Sequence, residues 1–86
     1  MEYKFEENRI YAEDKNGVLL AEITFPETER GVFTINRTFT AESLRGQGIA
    51  AELVGLAVKR IKECGGRVEA TCSYAKRVLE KNKSEG

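Results

Sequence analysis

The sequence predicts an α+β sandwich, and three observations carry that expectation. Residues 3–40 alternate apolar and polar side chains at the two-residue period of strands, with turn residues between the runs. Residues 46–64 change to a helical period with a wide apolar arc. After Gly65-Gly66 come one strand-like segment and one short helical one. The expected architecture is a mixed, mainly antiparallel sheet of about five strands, with one long central helix and a short C-terminal helix.

Tyr3 and Phe5 alternate with Lys4 and Glu6 to open the first strand, and Glu7-Asn8 turns the chain into a second over residues 9–13. Asp14-Lys15-Asn16-Gly17 is a strong turn signal, because Asn and Gly tolerate positive φ. Residues 18–25 read as a third strand with Leu19, Ala21, Ile23 and Phe25 on one face. The only proline, Pro26, opens a polar connection that runs to Gly31. Residues 32–40 read as a fourth strand, rich in β-branched and aromatic side chains, whose face of Phe33, Ile35 and Phe39 is interrupted by Arg37.

In the helical stretch, Glu52, Gly55, Lys59, Lys62 and Glu63 gather into one polar stripe. Ile49, Ala50, Leu53, Val54, Leu56, Ala57, Val58 and Ile61 fill most of the rest. So wide an arc suits a helix lying across a sheet rather than a narrow two-helix seam. Gly65-Gly66 ends it. Residues 67–71 form the next expected strand and residues 74–81 the terminal helix. There is no internal repeat and no linker, so residues 1–86 are expected to form one domain, with 81–86 as a frayed tail.

Composition narrows the chemistry. With 86 residues, 41% of them apolar, the chain holds one thin core. Fourteen Lys and Arg balance fourteen Asp and Glu, which argues against a nucleic-acid partner bound by bulk charge. No apolar run approaches the roughly 18 residues of a membrane span, and Met1-Glu2-Tyr3-Lys4 does not open a signal peptide. Two cysteines without a framework point to free thiols and a cytoplasmic location. With no histidine, Ser-His-Asp and Cys-His mechanisms and His-based metal sites are excluded, and two cysteines alone cannot close a zinc site. No metal is expected. Residues 1–44 hold five basic and nine acidic side chains, whereas residues 45–86 hold nine basic and five acidic. That asymmetry reads either as solvated faces or as an anionic ligand held by the second half, with a cationic substrate drawn to the first.

The most informative stretch is Arg45-Gly46-Gln47-Gly48-Ile49-Ala50, between a strand and the long helix. A helix N-terminus offers unpaired N–H groups and the positive end of the dipole. Glycines at 46 and 48 remove the Cβ atoms that would hold a phosphate away, Ala50 allows close approach, and Arg45 adds a fork of donors. Together these groups suit a diphosphate; the alternative is a glycine-rich helix start with purely conformational duty.

Arg45-x-x-Gly48-x-Ala50 resembles the Q/R-x-x-G-x-G/A motif of the GNAT acetyltransferase superfamily, and Cys72-Ser73-Tyr74-Ala75 resembles the C-x-Y/F-V/A block of its miniature members. The resemblance spans about residues 3–83, with Thr38 matching as well. Arg37, Thr40 and Asn82 depart from the pattern, standing where these proteins often have histidine, valine and histidine. The resemblance implies a GNAT-like fold, acetyl-CoA as co-substrate, and a pyrophosphate held by Arg45, Gly46, Gln47, Gly48, Ile49 and Ala50. It also implies a splayed strand at Thr38, Phe39 and Thr40 whose backbone pairs with the pantetheine arm. A backbone N–H there would polarise the thioester carbonyl.

Cys72 and Tyr74 are the expected catalytic residues. Cys72 stands where a strand should end and a helix begin, a setting that lowers a thiol pKa, with Arg67, Lys76 and Arg77 near in sequence. It either takes the acetyl group or lines the thioester pocket while an amine attacks directly; the alternative is a small buried cysteine. Tyr74 either protonates the departing thiolate or anchors the last helix in the core. Ser73 is expected to cap that helix, and Lys76 is a weaker candidate for the phosphates. Glu42 and Glu69 are the available bases, and Cys64 reads as core filler. The expected function is N-acetyl transfer from acetyl-CoA to a primary amine on a protein, peptide or small molecule, by a monomer or weak dimer. The alternative is a non-catalytic CoA-binding or acyl-sensing module.

Overall fold

The computed structural model describes residues 2–85. Met1 and Gly86, and the side chains of residues 81–85, lie outside that description, and the tail expected over 81–86 falls on them. The elements are β1 (Lys4–Glu6), β2 (Arg9–Glu13), β3 (Leu19–Thr24), β4 (Glu27–Glu29), β5 (Val32–Ile35), β6 (Arg37–Thr40), a 3₁₀ turn (Glu42–Leu44), α1 (Ile49–Glu63), β7 (Arg67–Ala70) and α2 (Ser73–Glu85).

The strands form two sheets. One is antiparallel in the order β1-β2-β3-β6, and the other runs β4-β5-β7 with β5 and β7 parallel. The β2–β3 connection forms because Asp14 Oδ1 accepts the amides of Asn16 (2.8 Å) and Val18 (2.9 Å), while Gly17 takes φ +81°. Alternation then points Ala21, Ile23 and Phe25 inward, where α1 lays Leu53, Val54, Ala57 and Ile61 against them and against Ile10 and Ile35. Each large side chain buried there contributes about 1.5–3 kcal/mol. At its C-terminus, Gly66 N–H reaches Ile61 O (2.9 Å) and Gly65 N–H reaches Lys62 O (3.0 Å), the paired bonds of a Schellman ending.

Four details differ from the sequence reading. The expected strand over 32–40 is broken at Asn36, because β5 joins β7 while β6 joins β3. Asn36 is held out of both ladders, accepting Thr24 Oγ1 on its side chain (2.5 Å) and donating its amide to Thr24 O (3.2 Å). The polar connection after Pro26 contains β4, tied to β5 by the Thr28 and Thr34 hydroxyls at 2.8 Å. Cys64 is exposed rather than core filler, since it follows the last turn of α1 and its Sγ bonds the carbonyl of Ile61 (3.2 Å). The last helix starts at Ser73, so Cys72, not Ser73, holds its cap position. Among the described residues no helix is long and apolar enough to cross a membrane, and no cluster of three or more His, Cys, Asp or Glu side chains is placed to hold a metal ion.

Candidate active site

The break at Asn36 creates the site. It leaves β6 as the edge of one sheet and β7 as the edge of the other. Ala41 donates its amide to Leu20 O at 2.7 Å, and the register pairs Thr40 with Ala21 and Phe39 with Glu22. Alternation along an antiparallel ladder therefore turns the amides of Phe39 and Ala41 toward β3 and those of Thr38 and Thr40 away from it, into the opening.

Beyond β6 the 3₁₀ turn leads to the glycine-rich loop. Gly46 and Gly48 stand at φ +85° and +74°, a region other residues enter at a cost. A Cβ at either would meet nothing within 4 Å, so packing does not demand glycine there; backbone conformation does, and open space is left in front. Gly48 is the N-cap of α1 and supplies no side-chain cap; the first helical bond runs from Glu52 N–H to Gly48 O (3.1 Å). The amides of Ile49, Ala50 and Ala51 are thus left without an intrahelical acceptor at the positive end of the dipole.

These two features face one pocket of about 550 Å³, lined by Thr38, Phe39, Thr40, Leu44, Arg45, Gly46, Gly48, Ile49, Ala50 and Tyr74. Of the residues singled out for the cofactor, Gln47 and the weaker candidate Lys76 are outside this lining, and both are exposed. Leu44 belongs to the lining and was missed; its signal is an isolated apolar side chain in a polar loop just before the glycines. Among the described residues Thr40 Oγ1 is buried with no hydrogen-bond partner.

Cys72 lies beside this pocket, joined to its wall. Its Sγ is 3.4 Å from Thr38 Oγ1 and lies beside the backbone amides of Ala75, Tyr74 and Thr38, which favour the thiolate. Burial alone would push the thiol pKa up; the Thr38 hydroxyl and the three amides outweigh it, and the net effect holds the thiol below its ordinary value. Cys72 stands at the cap position of α2, whose first helical bond runs from Lys76 N–H to Cys72 O (3.0 Å). Arg67, Lys76 and Arg77 are not what lowers it; hydrogen bonds are. Tyr74 is 38% exposed and lines the pocket, so it does not anchor the helix in the core. Lys76 lines a separate groove beside β7. Glu42 is exposed on the 3₁₀ turn and Glu69 is exposed and paired with Arg67 (3.5 Å), so neither candidate base lines the pocket.

A family model described as GCN5-related N-acetyl-transferase matches residues 9–85. The chain belongs to this family of acetyltransferases. Among solved structures it is similar to a candidate GCN5-like N-acetyltransferase from Staphylococcus aureus, at 36% identity and a TM-score of 0.77 over 96% of this chain and 81% of that one. It also resembles a candidate phosphinothricin N-acetyltransferase (22% identity, TM-score 0.66, 91% of this chain and 56% of that one). A third is the ribosomal-protein-alanine N-acetyltransferase of Brucella melitensis biovar Abortus 2308 (19%, 0.57, 85% and 60%). These last two likenesses speak to the fold alone. No curated protein matches significantly.

Acetyltransferases of this family use acetyl-CoA as co-substrate. The residues present fit such a molecule on three counts. The N-terminus of α1 is uncapped where a pyrophosphate would need donors, and Thr40 Oγ1 is a buried polar atom without a partner. The edge of β6 also turns the Thr40 amide toward the same pocket, where an extended amide-bearing chain would find a donor.

Proposed function

We propose that the protein transfers the acetyl group of acetyl-CoA to a primary amine, with Cys72 beside the thioester and acting as the nucleophile. The observation that carries this reading is the setting of the Cys72 sulfur. It lies 3.4 Å from the hydroxyl of Thr38, which also lines the pocket, and beside the amides of Thr38, Tyr74 and Ala75, all of which favour its thiolate. A thiol held below its ordinary pKa supplies more thiolate at neutral pH.

In this reading Arg45 and the amides of the Gly46–Ala51 segment grip the paired phosphates, and the open edge of β6 aligns the pantetheine arm. The Thr40 amide polarises the acetyl carbonyl. Cys72 Sγ attacks that carbon; a new S–C bond forms as the bond to the coenzyme sulfur breaks. Tyr74 Oη gives its proton to the departing thiolate. The amine nitrogen then attacks the acetyl carbon on Cys72, the S–C bond breaks, Cys72 returns as thiolate, and the proton from nitrogen restores the Tyr74 phenol.

Incubation with acetyl-CoA followed by intact-mass measurement tests this. The expected result is a gain of one acetyl group that is absent in Cys72→Ala. Turnover without any adduct in a rapid-quench time course would replace the covalent step by direct attack of the amine. Coenzyme binding without release of free thiol, across a panel of amines, would overturn acetyl transfer altogether and leave an acyl-CoA sensor.

A further inference from the structure

Strand β7 is the outer strand of its sheet, and its free side is a ready hydrogen-bonding edge. Arg67 donates its amide to Gly31 O (2.7 Å) and Thr71 to Ile35 O (3.1 Å) in the parallel pairing with β5. Alternation then turns the N–H and C=O groups of Val68 and Ala70 to the outside. A groove of about 950 Å³ runs along this edge, floored by Val58, Val68, Ala70 and Leu79 and flanked by Lys62 and Lys76. Natural edges are commonly blunted by charged side chains, short strands or coverage. Here the two outward charges are opposite: Arg67 is 77% exposed and Glu69 51%, two residues apart on one face.

We infer that β7 pairs antiparallel with β7 of a second copy, centred on Val68. Charge decides the register. Centred on Val68, each Arg67 stands opposite Glu69 of the partner copy, twice by symmetry, and the two Val68 residues exchange backbone bonds and pack side by side in the groove. Centred on Glu69, the two carboxylates would face each other. Centred on Ala70, Arg67 would face Ser73 and gain no charge partner. Opposite charges across a strand pair stabilise and like charges repel, so only the first register is self-complementary. The resulting two-fold closes on itself, which limits the assembly to a dimer. A four-residue strand makes a small contact, so the dimer is weak and depends on concentration. Cys72 lies four residues beyond the two-fold, which sets the two thiols on the order of 25 Å apart along the strand direction, each with its own pocket.

Sedimentation equilibrium up to millimolar protein, without coenzyme, tests the inference. A concentration-dependent dimer is expected. Arg67→Glu should weaken it about tenfold, because it places like charges opposite on both sides, and the swap Arg67→Glu with Glu69→Arg should restore it. Both side chains are exposed, so unchanged melting temperatures are expected to show that the variants fold. A wild-type chain that stays monomeric at millimolar concentration overturns the proposal. So does a dimer that Arg67→Glu leaves intact, or one that the double swap fails to restore.

Discussion

At the scale of single residues, the proposed chemistry turns on Thr38 and Cys72. The Thr38 hydroxyl lies 3.4 Å from the sulfur, and after burial it heads the effects acting on the thiol. Thr38→Val keeps the shape of the side chain and deletes that donor. The thiol pKa is expected to rise, so the midpoint of Cys72 alkylation by iodoacetamide should move to higher pH. The sign of the linkage follows. A thiol depressed in the folded state stabilises the fold above its unfolded pKa, and that contribution fades as pH falls through the folded value. Gly66 makes a different demand. A Cβ there would lie 2.7 Å from the Phe33 ring and 3.0 Å from Ile61, so Gly66→Ala should cost about 1–3 kcal/mol in a denaturant titration by overpacking.

At the scale of elements, the decisive feature is that the chain from 32 to 40 is two strands. Its β-branched and aromatic composition was legible as strand, and the turn at 14–17, the inward face of β3 and the apolar arc of α1 were legible from spacing alone. The break was not, because Asn36 is held by Thr24, twelve residues earlier, and alternation within one segment carries no trace of that partner. The same holds for β4, whose pairing depends on Thr28 meeting Thr34. The helix-cap rule led to Ser73, since sulfur is not among the usual capping atoms, yet Cys72 takes that position. The glycine-rich loop at the mouth of α1 was legible because glycine at positive φ before a helical period has a direct physical meaning. Its cation can be tested alone. Arg45 is exposed at the pocket's rim, so Arg45→Ala should leave stability unchanged and weaken coenzyme binding about tenfold or more in calorimetric titration, with a shallower dependence on salt.

At the scale of the whole molecule, much of the charge in the first half is spent within it. Glu22, 12% exposed, bridges Arg9 and Arg37 on the open face of the sheet, and Glu6 and Glu13 meet Arg9 and Lys4. The tie of that half to the rest includes Tyr3, whose hydroxyl is buried against α1; burial first, and the Glu52 carboxylate second, push its pKa up to about 12. Below the ordinary tyrosine value both states keep the proton. Between there and about pH 12 the unfolded chain loses it first, so stability falls as pH rises through that window. Tyr3→Phe should flatten that fall when urea midpoints are compared across it.

The account rests on the pocket between β6 and the mouth of α1, and amide NMR during titration with coenzyme A addresses it most directly. Resonances of Thr38, Thr40, Gly46 and Gly48 through Ala51 should move together and saturate, while those of the β1–β2 hairpin stay still. Saturating coenzyme that leaves this set unmoved, or shifts a different surface, would contradict it.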